Sequence, residues 1–197
     1  MSGSFGQALV YLIHALGNLF LLAILLRFLL QAAKADFYNP VTQAIVKITT
    51  PVIKPFRRII PGYRGFDFAS LVAGLLISVI ATYVMLLLIG TMISPVSVFA
   101  WAGLGIADYV LNIYFWAALI SAIASFIAPF SGHPVLLVIH ELLEPAYRLF
   151  RKVMPPISGL DLSPLFIFLG TRFIENGLVY PLANSLRLPP SVVLGFW

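Results

Sequence analysis

Asn39 to Leu71 recurs, without a gap, ninety-four positions later as His133 to Leu165. Ten positions in that stretch are identical, among them Pro40/Pro134, Pro51/Pro145, Phe56/Phe150, Arg57/Arg151, Pro61/Pro155, Gly65/Gly159 and Asp67/Asp161. The same offset carries Asn18 onto Asn112 and His14 onto Asp108. A tandem duplication of this kind constrains the fold more than any single motif, because each copy must build the same unit. The first unit is expected over residues 1–93 and the second over 94–197, as one compact domain.

The unit is expected to be a membrane unit. Hydrophobic residues make up 61% of the chain and charged residues only 10%, against about 25% charged in soluble domains. Apolar runs fall at about Ala8–Ala33, Phe66–Ile93, Trp101–Phe130 and Leu162–Leu186. Each has the roughly 20 residues needed to cross a bilayer as a helix. The fold class that follows is all-α, with four transmembrane helices in two tandem repeats. The first run has no basic residues before it and exceeds a signal h-region, so it reads as a retained span.

Charge orients these spans. Nine of the twelve basic residues lie between spans one and two or between spans three and four. By the positive-inside rule those connections are cytoplasmic and both termini face outward. Each repeat has an even number of spans, so the copies share one orientation and are related about the membrane normal. The net charge of +5 therefore marks topology, and nucleic acid is not an expected partner. The chain has no cysteine, which excludes disulfides and thiolate chemistry.

The cytoplasmic connections carry their own pattern. Val41, Ile45, Ile48, Val52, Phe56 and Ile59 recur at steps of three or four, as do Val135, Ile139, Leu142, Ala146, Phe150 and Val153. This predicts one amphipathic helix per repeat, lying in the interface with its basic side toward anionic headgroups. Pro40 and Pro134 suit a first turn; Pro51 and Pro145 should kink or split the helices.

The block Pro51, Pro55–Phe56–Arg57–Arg58, Pro61, Gly65 and Asp67, repeated as Pro145, Phe150–Arg151–Lys152, Pro155, Gly159 and Asp161, resembles the signature of the YggT family. The double copy is similar to two-repeat bacterial members and covers nearly the whole chain. The resemblance implies a small integral inner-membrane protein, of the kind linked to osmotic tolerance, potassium homeostasis or cell division. Plastid relatives are linked to cytochrome b6 haem attachment and nucleoid distribution. No catalytic residue and no cofactor is implied.

Three groups of residues are candidates for function. Lys54, Phe56, Arg57, Arg58, Arg148, Phe150, Arg151 and Lys152 form a basic and aromatic surface for lipid or partner docking. Asp67 and Asp161 are expected to cap a span, accepting from its first amides after a glycine turn, with a salt bridge to Arg57 or Arg151. Asn18, Arg27, Asn112, Arg172 and Glu175 are the intramembrane polar set. The two Asn should pack symmetrically on the bundle axis or else line a small permeation path, Arg172 and Glu175 should meet at a spacing of three, and Arg27 should snorkel. His14 and Asp108 should be wetted end residues, the alternative being a His–Asp pair that relays protons. His133 and His140 have no metal spacing, and no metal is expected.

The composition and these motifs favour a non-enzymatic factor that docks anionic lipid or a membrane complex, as a monomer or homo-oligomer. The alternative is a small ion or solute conductor in osmotic homeostasis.

Overall fold

A computed structural model describes residues 4–63, 65–127, 131–153 and 163–196. Its described elements are helical: α1 (Ser4–Ala33), α2 (Pro40–Ile59), α3 (Phe68–Leu88), α4 (Pro95–Ile127), α5 (Pro134–Val153), α6 (Ser163–Ile174), a π-helical turn (Glu175–Val179), α7 (Tyr180–Ser185) and a 3-10 turn (Pro190–Val192). α1, α3 and α4 are long and apolar enough to cross a membrane. The chain is a membrane protein, and its described residues are helical with three such spans among them.

The duplication shows in the packing. α1 lies on α2 and α3, and α4 lies likewise on α5 and α6. Within the first repeat α3 turns small residues inward: Ala69, Ser70, Ala73, Gly74, Ser78 and Thr82 are all buried. Small side chains let helices approach closely, which is how membrane helices gain packing contacts when lipid is as apolar as leucine. A Cβ at Gly74 would touch both Leu21 and Ile24 of α1 at 3.4 Å. The repeats meet where α3 packs on α4 and where α5 packs on α1 and α2. Polar contacts across that seam include Asn39 Nδ2 donating to the Pro134 carbonyl at 2.9 Å and the Asp36 amide donating to Glu141 Oε2 at 3.2 Å.

Pro40 and Pro134 open their helices as expected. The residues before them are caps. Asn39 Oδ1 accepts from the Val41 amide (2.9 Å), and His133 Nδ1 accepts from the Val135 amide (3.3 Å). Dissimilar residues thus fill one role in the two copies.

Several expectations are corrected. α2 runs unbroken through Pro51 and Pro55, and α5 through Pro145; none of these prolines splits its helix. The inward face of α2 is centred on Thr42, Thr49 and Ile53, while Ile48 and Ile59 of the apolar stripe are exposed. The face of α5 is shifted in the same way, with Val138, Leu142, Leu143 and Tyr147 inside and Val135 exposed. α3 stops at Leu88, five residues before the expected end at Ile93, where Gly90 takes a positive φ of 74°. The fourth apolar run is helical over residues 163–185, with a π turn within it. α6 gives way to the π turn, in which the Tyr180 amide bonds the Glu175 carbonyl. Pro181 follows directly; its ring has no amide to give and would press on a carbonyl one turn back, so a wider turn precedes it.

The chain beyond α7 folds back into the bundle. Val193 and Leu194 are fully buried, and Phe196 nearly so. This strap is held at two glycines. Gly105 of α4 lies directly against the Leu194 carbonyl, and Gly195, at φ 99°, lies against the Gly105 carbonyl.

Candidate functional site

Among the described residues three polar clusters lie inside the bundle, and each begins with one helical residue that the core cannot easily hold. The first is built on Arg27. It stands on α1, two turns before that helix ends, and is buried at 5% exposure. One guanidinium nitrogen donates to Thr49 Oγ1 (2.8 Å), Thr50 Oγ1 (3.0 Å) and the Val46 carbonyl (3.2 Å) of α2. Its Nε lies 3.7 Å from Asp67 Oδ2. Arg27 therefore does not snorkel to the helix end, as the sequence suggested; α2 folds back and brings its partners to it.

Asp67 stands at the N-terminus of α3 but caps no amide with its side chain. Arg57 pairs with it through two nitrogens, and Ser70 Oγ donates to Oδ2 at 2.6 Å. A guanidinium and a hydroxyl have taken the carboxylate that the free amides were expected to hold. The expected salt bridge to Arg57 is present, and Gly65 makes the expected turn at φ 89°. Burial alone would raise the Asp67 carboxyl. The hydrogen bonds from Arg57 and Ser70, with the charges of Arg57 and Arg27, outweigh it and hold the group below the usual carboxylate range.

Beside this node, between α1 and α2, a crevice of about 730 Å³ is lined by Arg27, Lys34, Lys54 and Arg57 together with uncharged residues. No carboxylate is in its lining. Lys34 reaches it from a left-handed backbone at φ 57°. There it closes α1, with the Ala35 amide returning to the Leu30 carbonyl at 2.9 Å. That closing position usually belongs to glycine.

The second cluster lies in the other repeat. Asp108 and Glu175 are both buried, at 1% and 2% exposure. Asn112 Nδ2 donates to Asp108 Oδ2 (3.2 Å) and to Glu175 Oε1 (3.4 Å). The Tyr180 hydroxyl donates to Glu175 Oε1 at 2.8 Å, and Arg172 pairs with Oε2. Arg172 also lies over the Phe115 ring, 3.6 Å from its centroid. A crevice of about 490 Å³ is lined by these polar residues and Trp116. The expected Arg172–Glu175 pair is therefore present. Asp108 is a buried member of its cluster rather than a wetted end.

The third cluster belongs to the strap. Asn18 Oδ1 accepts from the Gly195 amide (2.7 Å), His14 Nε2 donates to the Val193 carbonyl (3.2 Å), and Asn18 Nδ2 donates to His14 Nδ1 (3.3 Å). Asn18 and Asn112 are equivalent in the repeat, but they bond different partners and not each other.

These clusters lie on a doubled scaffold, and the comparison with known families matches the doubling. One family model, described as CCB3/YggT, matches twice, over residues 6–88 and 100–182. The chain belongs to the CCB3/YggT family. Both bounds of the second match are those of the first displaced by 94, the offset read from the sequence. An uncharacterized protein of Pseudomonas aeruginosa is 40% identical over 184 residues, covering 92% of this chain and 93% of the relative. The Escherichia coli K12 protein named "Uncharacterized protein YggT" is 31% identical over 194 residues, covering 97% and 98%. No solved structure matches.

The YggT-type signature residues divide by role. Arg57 is engaged with Asp67, whereas Lys54 and Arg58 are exposed, Lys54 at the crevice. In the second repeat Arg148 (3.0 Å) and Arg151 (3.7 Å) reach Glu144, and Arg151 lies over Tyr147; Lys152 is exposed. Phe56 packs among Ile24, Ile53 and Ala73, and Phe150 stacks on Phe166. Both half-buried rings pack against neighbouring helices. Pro51, Pro61 and Pro145 are exposed. Pro155, Gly159 and Asp161 lie outside the described residues. Sequence reasoning missed Thr49, Thr50, Ser70 and Tyr180, and also the Gly105–Gly195 contact. Thr49 had one signal: its twin is Leu143, so a polar need exists there in one repeat alone, whereas Thr50 has the polar Glu144 as its twin.

Proposed function

We propose that this YggT-family chain is a four-span inner-membrane factor whose cytoplasmic amphipathic helices dock anionic phospholipid headgroups and, on that surface, a membrane complex. The carrying observation is the crevice lined by Arg27, Lys34, Lys54 and Arg57 without a carboxylate. A phosphate placed there meets cations on two helices. The fourth span is α6, the π turn and α7 taken together, which over residues 163–185 have about the length of the hydrocarbon core. With both basic connections on one side, that side is cytoplasmic and the termini are outside.

Lys34 supports the assignment. A left-handed backbone costs a side chain about 1–2 kcal/mol where glycine sits without strain. The position thus holds a cation at a cost in stability. Lys34→Gly combined with Lys54→Gln should leave the fold intact. Each cation near an anionic surface contributes about 1 kcal/mol, so the double variant should lose anionic-lipid retention by roughly thirty-fold. Native mass spectrometry of the protein from bilayer discs of mixed phosphatidylglycerol and phosphatidylcholine measures this. Equal retention of phosphatidylglycerol by the variant and the parent would remove the crevice from the account.

The small-ion conductor keeps one observation in its favour, the polar crevice at Asp108, Arg172 and Glu175. A conductor should lose potassium flux in liposomes with Asn112→Leu while remaining folded.

A further inference from the structure

The cluster at Asp108 and Glu175 has an uneven distribution of donors. Glu175 receives three: the Arg172 guanidinium, the Tyr180 hydroxyl and the Asn112 amide. Asp108 receives donors on Oδ2 from Asn112 alone. Its Oδ1 is fully buried and has no hydrogen-bond partner. The charges do not cancel either. Two carboxylates face one guanidinium, which cannot give up its proton, so the ionised cluster carries one excess negative charge. The charged and titratable groups acting on Asp108 are Glu175 and Arg172, with Tyr180 on the same side; Asn112 is the neutral donor between the two carboxyls. Excess charge buried in an apolar bundle is costly unless it is paired or neutralised.

We infer that Asp108 and Glu175 form an intramembrane proton-binding site, in which Asp108 carries the proton and Glu175 stays ionised. The donor count decides which carboxyl is which: the anion belongs where three donors converge, and the proton where an oxygen has none. The same donors argue against a metal cation. An amide N–H, a guanidinium and a phenol hydroxyl all point at the carboxylates from the positions that a metal's other ligands would need. No group of three or more His, Cys, Asp or Glu able to hold a metal occurs among the described residues. The crevice of about 490 Å³ beside Asp108 gives the proton a route of exchange, and the π turn that presents Glu175 is a form often found at functional sites. The site lies in the second repeat and does not depend on the lipid crevice of the first.

Infrared difference spectroscopy of the purified protein in bilayer discs tests this at near-neutral pH. The parent should show one protonated carboxyl absorption, and Asp108→Asn should abolish it. Glu175→Gln is the sharper variant. It leaves Arg172 facing Asp108 alone, so the charges balance without a proton and the absorption should vanish although Asp108 is intact. This second variant also decides the matter if Asp108→Asn does not fold. A parent spectrum without the absorption would overturn the assignment, as would its persistence in Glu175→Gln. Loss of the parent absorption on adding potassium or sodium at fixed pH would overturn the proton in favour of a metal cation.

Discussion

Asp67→Asn should cost the protein about 3–5 kcal/mol, the range for removing one partner of a buried ion pair. The loss falls on Arg27 more than on Asp67. Arg27 is 4% exposed in its side chain and Asp67 2%, with 3.7 Å between them. The guanidinium cannot deprotonate, so without the carboxylate it stays buried with only Thr49, Thr50 and the Val46 carbonyl to hold it. Arg57→Gln should cost far less, about 1 kcal/mol, because Arg57 is 43% exposed and its charge is screened. Thermal unfolding in bilayer discs measures both. The decisive comparison is Arg27→Met with Asp67→Asn. Replacing both members leaves no unpaired charge, so the double variant should be more stable than Asp67→Asn alone; a plain sum of the two losses would show that the charges do not interact.

The pH dependence has a fixed sign. The Asp67 carboxyl is lowered from its ordinary value of 3.8 in the folded protein. Its contribution is therefore complete above that value and is lost as the pH falls through the lower folded value. The parent should lose stability below about pH 4, and Asp67→Asn should not show that component.

Gly105→Ala and Gly103→Ala should differ in sign, though the residues share one helix two positions apart. A Cβ at Gly103 meets nothing within 4 Å, and alanine is the better helix former by about 1 kcal/mol. A Cβ at Gly105 would lie on the Leu194 carbonyl oxygen, which is backbone and has no rotamer to turn away. The strap must move as a whole. That withdraws the buried Val193 and Leu194 from the bundle and takes the Gly195 amide from Asn18 Oδ1. Overpacking with the loss of a buried hydrogen bond predicts about 3 kcal/mol or more. Unfolding midpoints for the two variants, with limited proteolysis of the residues after Leu188, report both effects. If Gly105→Ala behaved like Gly103→Ala, the strap would not be seated in the bundle.

The sequence carried what is local or repeated. Helix starts at Pro40 and Pro134, the turn at Gly65, the Arg172–Glu175 pair and the 94-residue offset all follow from spacing within a few residues or from the duplication. Contacts that depend on where a helix returns were not legible. Arg27 meets Thr49 and Thr50 because α2 doubles back along α1, and no periodicity encodes that approach. Which residues of the α2 stripe meet protein and which face outward was not legible, because apolar residues in a bilayer gain as much from lipid as from protein. Thr49 and Ile53 are inside while Ile48 and Ile59 are out. The Asp67–Arg57 salt bridge was legible, but Asp67 was also read as a cap because its position allows it, and the guanidinium and the Ser70 hydroxyl take the carboxylate instead. The strap had no signal, since glycines at 105 and 195 mean nothing until they are known to touch.

The caps at Asn39 and His133 bear on how the two copies have drifted apart. Each bonds its own helix, but only Asn39 also reaches across the seam, to Pro134. Mutational drift therefore acts on three classes of position. Thr49 and Glu175 serve one copy and are free of any obligation to their twins. The prolines that open α2 and α5 repeat because each copy solves the same local problem. Asn39, Glu141, Asn18 and Gly195 join one copy to the other, and a change at any of them is felt on both sides. What began as two interchangeable units has become a pair of complementary halves, in which neither could now be replaced by a second copy of the other.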